Sequence, residues 1–180
     1  MFLFNPIPLE GAFEIVLPAF TDARGGFRKV FNDGFFRDQG IGFELKESYY
    51  SVSARSVIRG MHFQMPPHQH SKLVYCPAGR ILDVVLDLRS GSSSYGAYYA
   101  TELSAENAKA LYIPEGFAHG FQSLSEGAMT AYLVSSGYHQ PADTGVLWNS
   151  FGMTWPLDAG GLISERDRNF LPLSEFKTPF

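Results

Sequence analysis

The chain has 180 residues, a formal net charge of −4 and 45% hydrophobic residues. That composition predicts one soluble domain, over residues 1–180, with enough apolar material for a substantial core. An acidic chain gives no reason to expect nucleic acid or an anionic membrane as a partner. The single cysteine, Cys76, cannot form an internal disulfide, which favours a reducing compartment.

The amino-terminal segment carries no basic stretch, and Asn5, Pro6 and Pro8 interrupt its apolar residues. It therefore does not predict a signal peptide, and no later segment approaches the length of a membrane span. We expect a cytoplasmic protein.

Short strand-like segments separated by Gly and Pro turns follow one another along the chain. Residues 12–18 predict a strand, residues 22–26 a turn, and Asn32 the N-cap of a short helix that runs to Asp38 and ends at Gly40. Further strands are predicted over residues 48–53, 73–76, 81–88, 97–103, 111–113 and 129–135, with Pro77-Ala-Gly79 as a hairpin turn. This pattern is typical of an all-β sandwich or barrel, most naturally a jelly roll, whose interior can hold one small ligand.

The segment from Ile58 to Lys72 concentrates polar chemistry within an apolar frame. Arg59 and Lys72 can only donate hydrogen bonds, whereas the histidines at positions 62, 68 and 70 can titrate near neutral pH or bind a metal. Acid–base chemistry on an anionic ligand and metal binding are therefore the two interpretations of this segment.

His62 is the candidate base of this segment. Its neighbours Met61 and Phe63 point to the opposite face of a strand, so His62 is expected to face the barrel interior alone. The structural alternative is a core histidine whose ring bonds to a backbone carbonyl. The nearby cations Arg59 and Lys72 favour the catalytic interpretation.

The metal interpretation depends on two short motifs. Pro114-Glu-Gly-Phe-Ala-His119 resembles the second metal motif of cupins, and His68-Gln-His70 resembles the start of the first. The carboxylate that a metal-binding cupin supplies after its His-x-His is missing, and Lys72 stands there instead. Because a cation repels a divalent metal, a metal-dependent cupin such as an oxygenase is the less favoured alternative.

Five ordered runs resemble the dTDP-4-dehydrorhamnose 3,5-epimerase family over nearly the whole chain. They are Arg59-Gly-Met-His-Phe-Gln64, Lys72-Leu-Val74, Asp83-Val-Val-Leu-Asp87-Leu-Arg89, Ile113-Pro-Glu-Gly-Phe-Ala-His-Gly120 and Leu162-Ile-Ser-Glu-Arg-Asp167. The resemblance implies a cupin-type jelly roll, a homodimer, and an enzyme without a metal or another cofactor.

The same resemblance implies the catalytic roles. His62 would remove the proton next to the C4 ketone of the sugar, and Asp167 would support the imidazolium that forms. Tyr132 would return a proton on the opposite face, while Lys72 would stabilise the enolate oxygen. Asp83 is a further possible support for the site.

Substrate contacts are also implied by the match. Arg59 and His119 would bind the diphosphate, and Tyr138 would line the pocket. Independently of the match, Arg24 in the turn over residues 22–26 is a candidate anion contact, with a solvated loop arginine as the alternative. Three further positions depart from the family pattern: Lys29, Glu47 and Tyr49 stand where members commonly carry Glu, Gln and Asn.

These observations predict an epimerase that inverts C3 and C5 of dTDP-4-dehydro-6-deoxyglucose without a cofactor. Because Glu47 and Tyr49 alter the nucleotide-reading positions, a single-carbon epimerase acting on a CDP- or GDP-linked 4-keto sugar is an alternative. A non-catalytic sugar-binding module is a further alternative, although a binder has no need of His62, Tyr132 and Asp167 together.

Overall fold

A computed structural model describes residues 1–158 and 162–180, and this part of the chain is dominated by short β-strands. The two α-helices are α1 (Asp33–Asp38) and α2 (Glu165–Arg168). The strands are β1 (Leu3–Pro6), β2 (Phe13–Val16), β3 (Ala19–Asp22), β4 (Gly25–Arg28), β5 (Glu47–Ser53), β6 (Ile58–Gln64), β7 (Lys72–Ala78), β8 (Arg80–Asp87), β9 (Tyr98–Ser104), β10 (Lys109–Ile113), β11 (Phe117–Ser123), β12 (Ala128–Val134) and β13 (Asp143–Gly145). Neither of these helices is long and apolar enough to cross a membrane.

Two antiparallel sheets form the body of the molecule. One has six strands in the order β1-β2-β10-β7-β12-β5, and the other has five in the order β13-β6-β11-β8-β9. The predicted all-β, cupin-type jelly roll is thereby confirmed. Apolar side chains from both sheets, among them Val74, Ile81, Val85, Leu111 and Phe121, pack together between them. Burial of this shared layer is the main force that holds the sheets face to face.

The alternating pattern of strand β8 shows how the sequence encodes this packing. Ile81 and Val85 face the opposite sheet, while Val84 and Leu86 lie on the outer face of the five-stranded sheet. Carboxy-terminal side chains such as Phe176 pack against that outer face. Both faces of the strand are therefore buried, and the acidic residues of the pattern are buried with them.

The prediction of a hairpin turn at Pro77-Ala-Gly79 is wrong in one respect. Strands β7 and β8 flank the turn but belong to different sheets, so the chain crosses between the sheets at this point. Gly79 has a φ of 75°, and a Cβ atom there would lie 3.0 Å from the Cα of Ala128. The turn residues predict a sharp bend. Which sheet the next strand joins depends on packing against residues far along the chain.

Helix α1 begins as predicted. The side chain of Asn32 accepts a hydrogen bond from Phe35 N, and Gly40, just beyond the helix, adopts a φ of 74°. Phe36 buries its ring completely among aromatic side chains on the outer face of the six-stranded sheet. The helix therefore covers this face of the sheet.

Strands β3 and β4 form a separate two-stranded hairpin. They pair with each other only, and nearly all their residues are exposed. Phe20 and Phe27 lie beside each other on this hairpin with exposures of 62% and 58%. Two large aromatic side chains are thus open to solvent in the single chain.

Candidate active site

A cavity of about 430 Å³ opens between the two sheets. Residues of both sheets form its walls, and most of the polar residues that the sequence singled out meet there. Its lining includes Glu47, Tyr49, Arg59, His62, Lys72, His119, Tyr132 and Tyr138. The barrel interior is therefore the candidate active site, as the sequence predicted for a jelly roll.

His62 faces this cavity from strand β6, whereas Met61 and Phe63 pack on the outer face of the same sheet. Its ring Nε2 lies 2.8 Å from Asp167 Oδ1. The His62 side chain is 31% exposed and that of Asp167 only 5%. The imidazole is thus open to a ligand on one side and held by a buried carboxylate on the other.

The short helix α2 places Asp167 behind His62. Ser164 caps this helix by accepting a hydrogen bond from Asp167 N, and Ile58 N donates to Leu162 O, which ties the segment to strand β6. Asp167 Oδ2 accepts a second hydrogen bond from Gly60 N. Burial raises the pKa of Asp167, but the hydrogen bonds from His62 and Gly60 outweigh it, and the net pKa lies below its usual value.

Two glycines allow the strands that carry the histidines to approach closely. Gly60 has a φ of 141°, and a Cβ atom at this position would lie 2.5 Å from the Cα of Gly120. The approach brings His62 and His119 opposite each other in the β6–β11 ladder, next to a shift in register. A side chain at either glycine would force these strands apart and misplace both imidazoles.

Tyr132 lines the same cavity from the opposite sheet. It belongs to strand β12, and its ring stacks on that of Tyr49 with centroids 4.9 Å apart. The ring of His119 packs against it at a steep angle, with centroids 5.8 Å apart. Burial, reinforced by the charge of Asp83, raises the pKa of Tyr132 well above 10. The phenol therefore stays protonated at neutral pH, on the wall that faces His62.

Lys72 is a buried cation between these two walls. Its Nζ donates to the backbone oxygen of His62 at 3.1 Å, and the residue is only 6% exposed. Burial lowers the pKa of Lys72 to about 8, although the carboxylates of Asp143 and Asp83 favour its charged form. The ammonium group is thus available to an anion that forms near His62.

A second imidazole–carboxylate pair lies in the floor of the cavity. His119 Nε2 lies 2.8 Å from Asp83 Oδ2, and both side chains are almost completely buried. Burial raises the pKa of Asp83 and lowers that of His119, so it disfavours both charges. Since Asp83 occupies Nε2, only Nδ1 of His119 remains for the predicted contact with a diphosphate.

The remaining cavity residues lie nearer the surface. Arg59 Nε donates to Ser53 Oγ at 3.0 Å, which orients the guanidinium group along the cavity wall. Glu47 Oε2 accepts from Tyr138 N at 3.0 Å, and the side chain of Tyr138 is 63% exposed. A charged group and a planar aromatic ring are therefore available to the outer part of a ligand.

Two predicted substrate contacts lie outside the cavity. Arg24 is at the turn of the exposed β3–β4 hairpin, where its guanidinium group pairs with Asp22. Lys29 follows strand β4 and is also exposed. Within one chain the fold does not bring either residue to His62.

The sequence analysis did not assign Gln64, Asp143 or Arg166 to the site, and it considered His70 only as a titratable group or a metal ligand, but all four line the cavity. Arg166 Nη1 pairs with Asp143 Oδ2 at 2.7 Å, which joins helix α2 to strand β13 across the cavity. Arg166 could have been predicted as a cavity residue, because it is next to Asp167 in the sequence. Asp143 gave no such signal, because its strand has only three residues and pairs with β6 from far along the chain.

The proposed metal ligands do not converge. His68 stacks on His139 with ring centroids 3.6 Å apart and does not line the cavity, whereas His70 and His119 do. Over residues 1–158 and 162–180, no three His, Cys, Asp or Glu side chains are arranged to hold a metal ion. The ligand set on which the oxygenase alternative depended is therefore not assembled.

Comparison with known proteins identifies the family. Residues 6–175 match the family model described as dTDP-4-dehydrorhamnose 3,5-epimerase. The enzyme of that name from Methanothermobacter thermautotrophicus is 40% identical over 178 residues, covering 97% of this chain and 96% of the relative.

Solved structures agree with this match. An epimerase from Legionella pneumophila in complex with dTDP-4-keto-L-rhamnose superposes with a TM-score of 0.94 at 29% identity, covering 98% of this chain and 95% of that one. NovW of Streptomyces spheroides, described as a 4-keto-6-deoxy sugar epimerase, gives a TM-score of 0.90 at 36% identity, with 97% and 89% covered. These comparisons give no support to an oxygenase or to a CDP- or GDP-linked substrate. The chain belongs to the dTDP-4-dehydrorhamnose 3,5-epimerase family.

Proposed function

We propose that this isomerase inverts C3 and C5 of dTDP-4-dehydro-6-deoxyglucose to give dTDP-4-dehydrorhamnose. The observation that carries the proposal is that His62 and Tyr132 face one cavity from opposite sheets. A 4-keto sugar bound between them can lose a proton to His62 on one face, and the planar enolate that forms can receive a proton from Tyr132 on the other face. Such a sequence inverts a carbon without a redox cofactor.

His62 is the proposed base. In the neutral ring, Nε2–H donates to Asp167, which leaves the lone pair of Nδ1 for the proton beside the ketone. When Nδ1 takes that proton, the carboxylate stabilises the new positive charge. The bonding electrons move to the C4 oxygen, where the ammonium group of Lys72 stabilises the enolate.

Tyr132 is the proposed acid. Its raised pKa keeps the phenol protonated until the enolate forms on its face of the sugar. Transfer of this proton to carbon converts the enolate back to the ketone and leaves a phenolate. Solvent reprotonates the phenolate, and the imidazolium of His62 releases its proton to solvent, so both groups return to their starting states. The C3 and C5 hydrogens both flank C4, so the same two groups can serve both carbons in turn.

The outer cavity suits a nucleoside diphosphate. Arg59, His119 and the neighbouring Arg166 supply donors for the phosphate oxygens, since guanidinium groups match their geometry. Glu47, Tyr49 and Tyr138 form the wall proposed to contact the base. The dTDP-linked ligand of the Legionella relative supports thymine as the base read here.

We further propose a cytoplasmic homodimer whose protomer is a single domain. The exposed Phe20 and Phe27 give the β3–β4 hairpin an apolar surface that a second copy would cover. Arg24 and Lys29 belong to the same region and lie outside their own cavity. A dimer in which the hairpin reaches the other protomer's cavity gives both residues a substrate to bind.

Mixed dimers test this arrangement. Random mixing of His62→Ala and Arg24→Ala protomers creates heterodimers with one intact site if Arg24 acts on the other protomer, so about a quarter of all sites regain activity. If Arg24 acts within its own chain, mixing restores nothing, and a monomeric mass by light scattering would refute the dimer itself.

The function is tested by NMR of the wild-type enzyme with dTDP-4-dehydro-6-deoxyglucose in heavy water. We expect deuterium at C3 and C5, together with signals of the inverted product. CDP- and GDP-linked 4-keto sugars serve as matched competitors. Exchange at one carbon only would reduce the activity to a single-carbon epimerase, and no exchange with any of the three would refute the proposal.

A further inference from the structure

His70 lines the cavity but has no part in the steps above. It lies two residues before Lys72, and Ser135 N donates to Ser71 O at 3.1 Å, which continues the pairing of β7 and β12 beyond Lys72. Side chains two positions apart in extended backbone share a face. His70 and Lys72 therefore border the same interior space.

A neighbouring amide fixes which nitrogen of His70 carries the hydrogen. Gln64 Oε1 accepts from the backbone N–H of His139 at 2.6 Å, and Gln64 Nε2 donates to the backbone oxygen of His68 at 2.8 Å. These backbone partners set the orientation of the amide, so its nitrogen is the atom 3.0 Å from His70 Nδ1. An amide nitrogen can only donate. Ser136 Oγ, 3.3 Å from the same nitrogen, can also donate to it. We therefore assign His70 Nδ1 as an acceptor and place the hydrogen of the neutral ring on Nε2.

This Nε2–H group is buried and has no hydrogen-bond partner in the described parts of the chain. Burial lowers the pKa of His70 to about 3, and the positive charge of Lys72 acts in the same direction. The ring consequently stays neutral and keeps its donor throughout the physiological pH range. A buried donor without an acceptor costs about 1–3 kcal/mol, so an acceptor that arrives with a ligand is favoured.

The surroundings of His70 decide which part of the ligand it meets. Lys72, which shares this face of the strand, is buried and donates to the backbone oxygen of His62. The guanidinium groups that suit phosphate belong to Arg59 and Arg166, and the Arg166 side chain is 47% exposed. A neutral donor in the buried compartment suits an uncharged oxygen better than a phosphate.

We infer that His70 is a positioning residue whose Nε2–H donates a hydrogen bond to an uncharged oxygen of the bound 4-keto hexose. This inference rests on the proposed function, because it assumes that the sugar occupies the buried compartment. His70 takes no proton during turnover. It holds the sugar ring in position between His62 and Tyr132.

The test compares two ligands that differ only in the sugar. Calorimetry in a His62→Ala background, where turnover is blocked, measures the affinities of dTDP and of dTDP-4-dehydro-6-deoxyglucose. Adding His70→Phe removes the donor from a ring of similar size. We expect about tenfold weaker binding of the sugar nucleotide, as one neutral hydrogen bond predicts, and less than about a twofold change for dTDP.

Two matched variants separate positioning from a structural role. His70→Gln places an amide donor near the position of Nε2 and keeps an acceptor for Gln64, so it should recover most of the lost affinity. His68→Phe, two residues away and outside the cavity, should leave both affinities unchanged. A loss of melting temperature without a change in the ratio of the two affinities would make His70 merely structural.

Nitrogen-15 NMR of labelled His70 provides an independent check of the tautomer. We expect a hydrogen on Nε2 and none on Nδ1 from pH 5 to pH 9, with Nε2 shifting when the sugar nucleotide binds. Titration near neutral pH, or equal losses for dTDP and its sugar derivative, would overturn the inference. Wild-type enzyme that fails to exchange substrate hydrogens would instead refute the proposed function.

Discussion

The cavity contains two imidazole–carboxylate pairs with the same separation and different surroundings. His62 Nε2 and His119 Nε2 each lie 2.8 Å from a carboxylate oxygen, of Asp167 and Asp83 respectively. Asp167 accepts a further hydrogen bond from Gly60, whereas no described residue bonds to Asp83 Oδ1. Hydrogen bonds to a carboxylate favour its charged form, whereas burial with an unsatisfied oxygen disfavours it.

This difference indicates which histidine can gain a proton. The pKa of Asp167 is lowered, so its charge remains to stabilise an imidazolium at His62. The pKa of Asp83 is raised and that of His119 is lowered, both by burial, so charging the second pair is disfavoured. Equal distances therefore do not make equal bases, and burial together with the second hydrogen bond distinguishes them.

Removing each imidazole in turn is the strongest way to break the comparison. For His62→Ala we expect hydrogen exchange from substrate to fall by about 10³-fold, because a positioned base contributes about 10²–10⁴-fold. For His119→Ala we expect weaker binding of dTDP as the main effect, measured by calorimetry. His68→Ala is the control outside the cavity. Equal loss of exchange in the two cavity variants would contradict the assignment of the base.

Changing the carboxylates sharpens the comparison with a smaller effect. Asp167→Asn keeps the shape but removes the charge that supports His62, so kcat should fall by about 10²-fold. Asp83→Asn replaces a group whose charge is already disfavoured, and kcat should fall about tenfold or less. Steady-state kinetics with both variants checks this order, and a reversed order would exchange the roles of the pairs.

Lys72 gives the comparison a pH dependence. In the proposed mechanism its ammonium group must be charged to stabilise the enolate, and burial lowers its pKa to about 8. Activity should therefore decline as pH rises through about 8, by roughly tenfold per unit beyond it. Lys72→Arg keeps a charge that does not titrate in this range and should move the decline to higher pH. If the decline in activity at high pH occurs at the same pH in Lys72→Arg as in the wild type, a group other than Lys72 is responsible for it.

Stability should respond to pH in opposite directions for the two carboxylates. A folded pKa below the unfolded value, as for Asp167, adds stability above the unfolded pKa of about 4, and this contribution is lost as pH falls through the folded pKa. A raised folded pKa, as for Asp83, adds stability below the unfolded pKa that is lost as pH rises through the folded one.

Denaturant unfolding from about pH 2 to pH 7 measures this difference in the Asn variants, with the Asp167 effect expected below about pH 4 and the Asp83 effect above it. Relative to wild type, Asp167→Asn should become less stable and Asp83→Asn more stable as pH rises, by on the order of 1 kcal/mol each. Slopes of the same sign would show that the two carboxylates share one environment.

The fold was largely predictable because its signals are local. Two-residue alternation and Gly and Pro turns marked the strands, and Asn32 marked the start of helix α1. The turn at Gly79 was misjudged because the same residues make a hairpin and a crossover between sheets. Local chemistry describes the bend, whereas the partner of each strand depends on long-range burial.

The site was predictable in its residues and not in its contacts. The resemblance named His62, Tyr132 and Asp167 as candidates, and the fold brings them together. The pairing of Asp83 with His119 was not predictable, because it depends on neighbouring strands of the five-stranded sheet. The hydrogen bond from Gln64 to His70, which sets the tautomer of His70, was also not predictable. It depends on backbone groups that orient the Gln64 amide. Arg24 was expected to contact an anion but lies outside the cavity of its own chain, where it pairs with Asp22. A sequence motif does not show whether a residue acts in the site of its own chain or in that of a partner.

The most direct test follows substrate hydrogens in heavy water with the Tyr132→Phe variant, whose phenyl ring cannot return a proton. His62 would still remove the hydrogen and return solvent deuterium on its own face. We predict that NMR will show deuterium entering C3 or C5 with the original configuration retained, whereas the wild-type enzyme gives deuterium with inversion. Inversion at the wild-type rate would contradict two groups acting from opposite faces. So would the loss of both deuterium exchange and inversion.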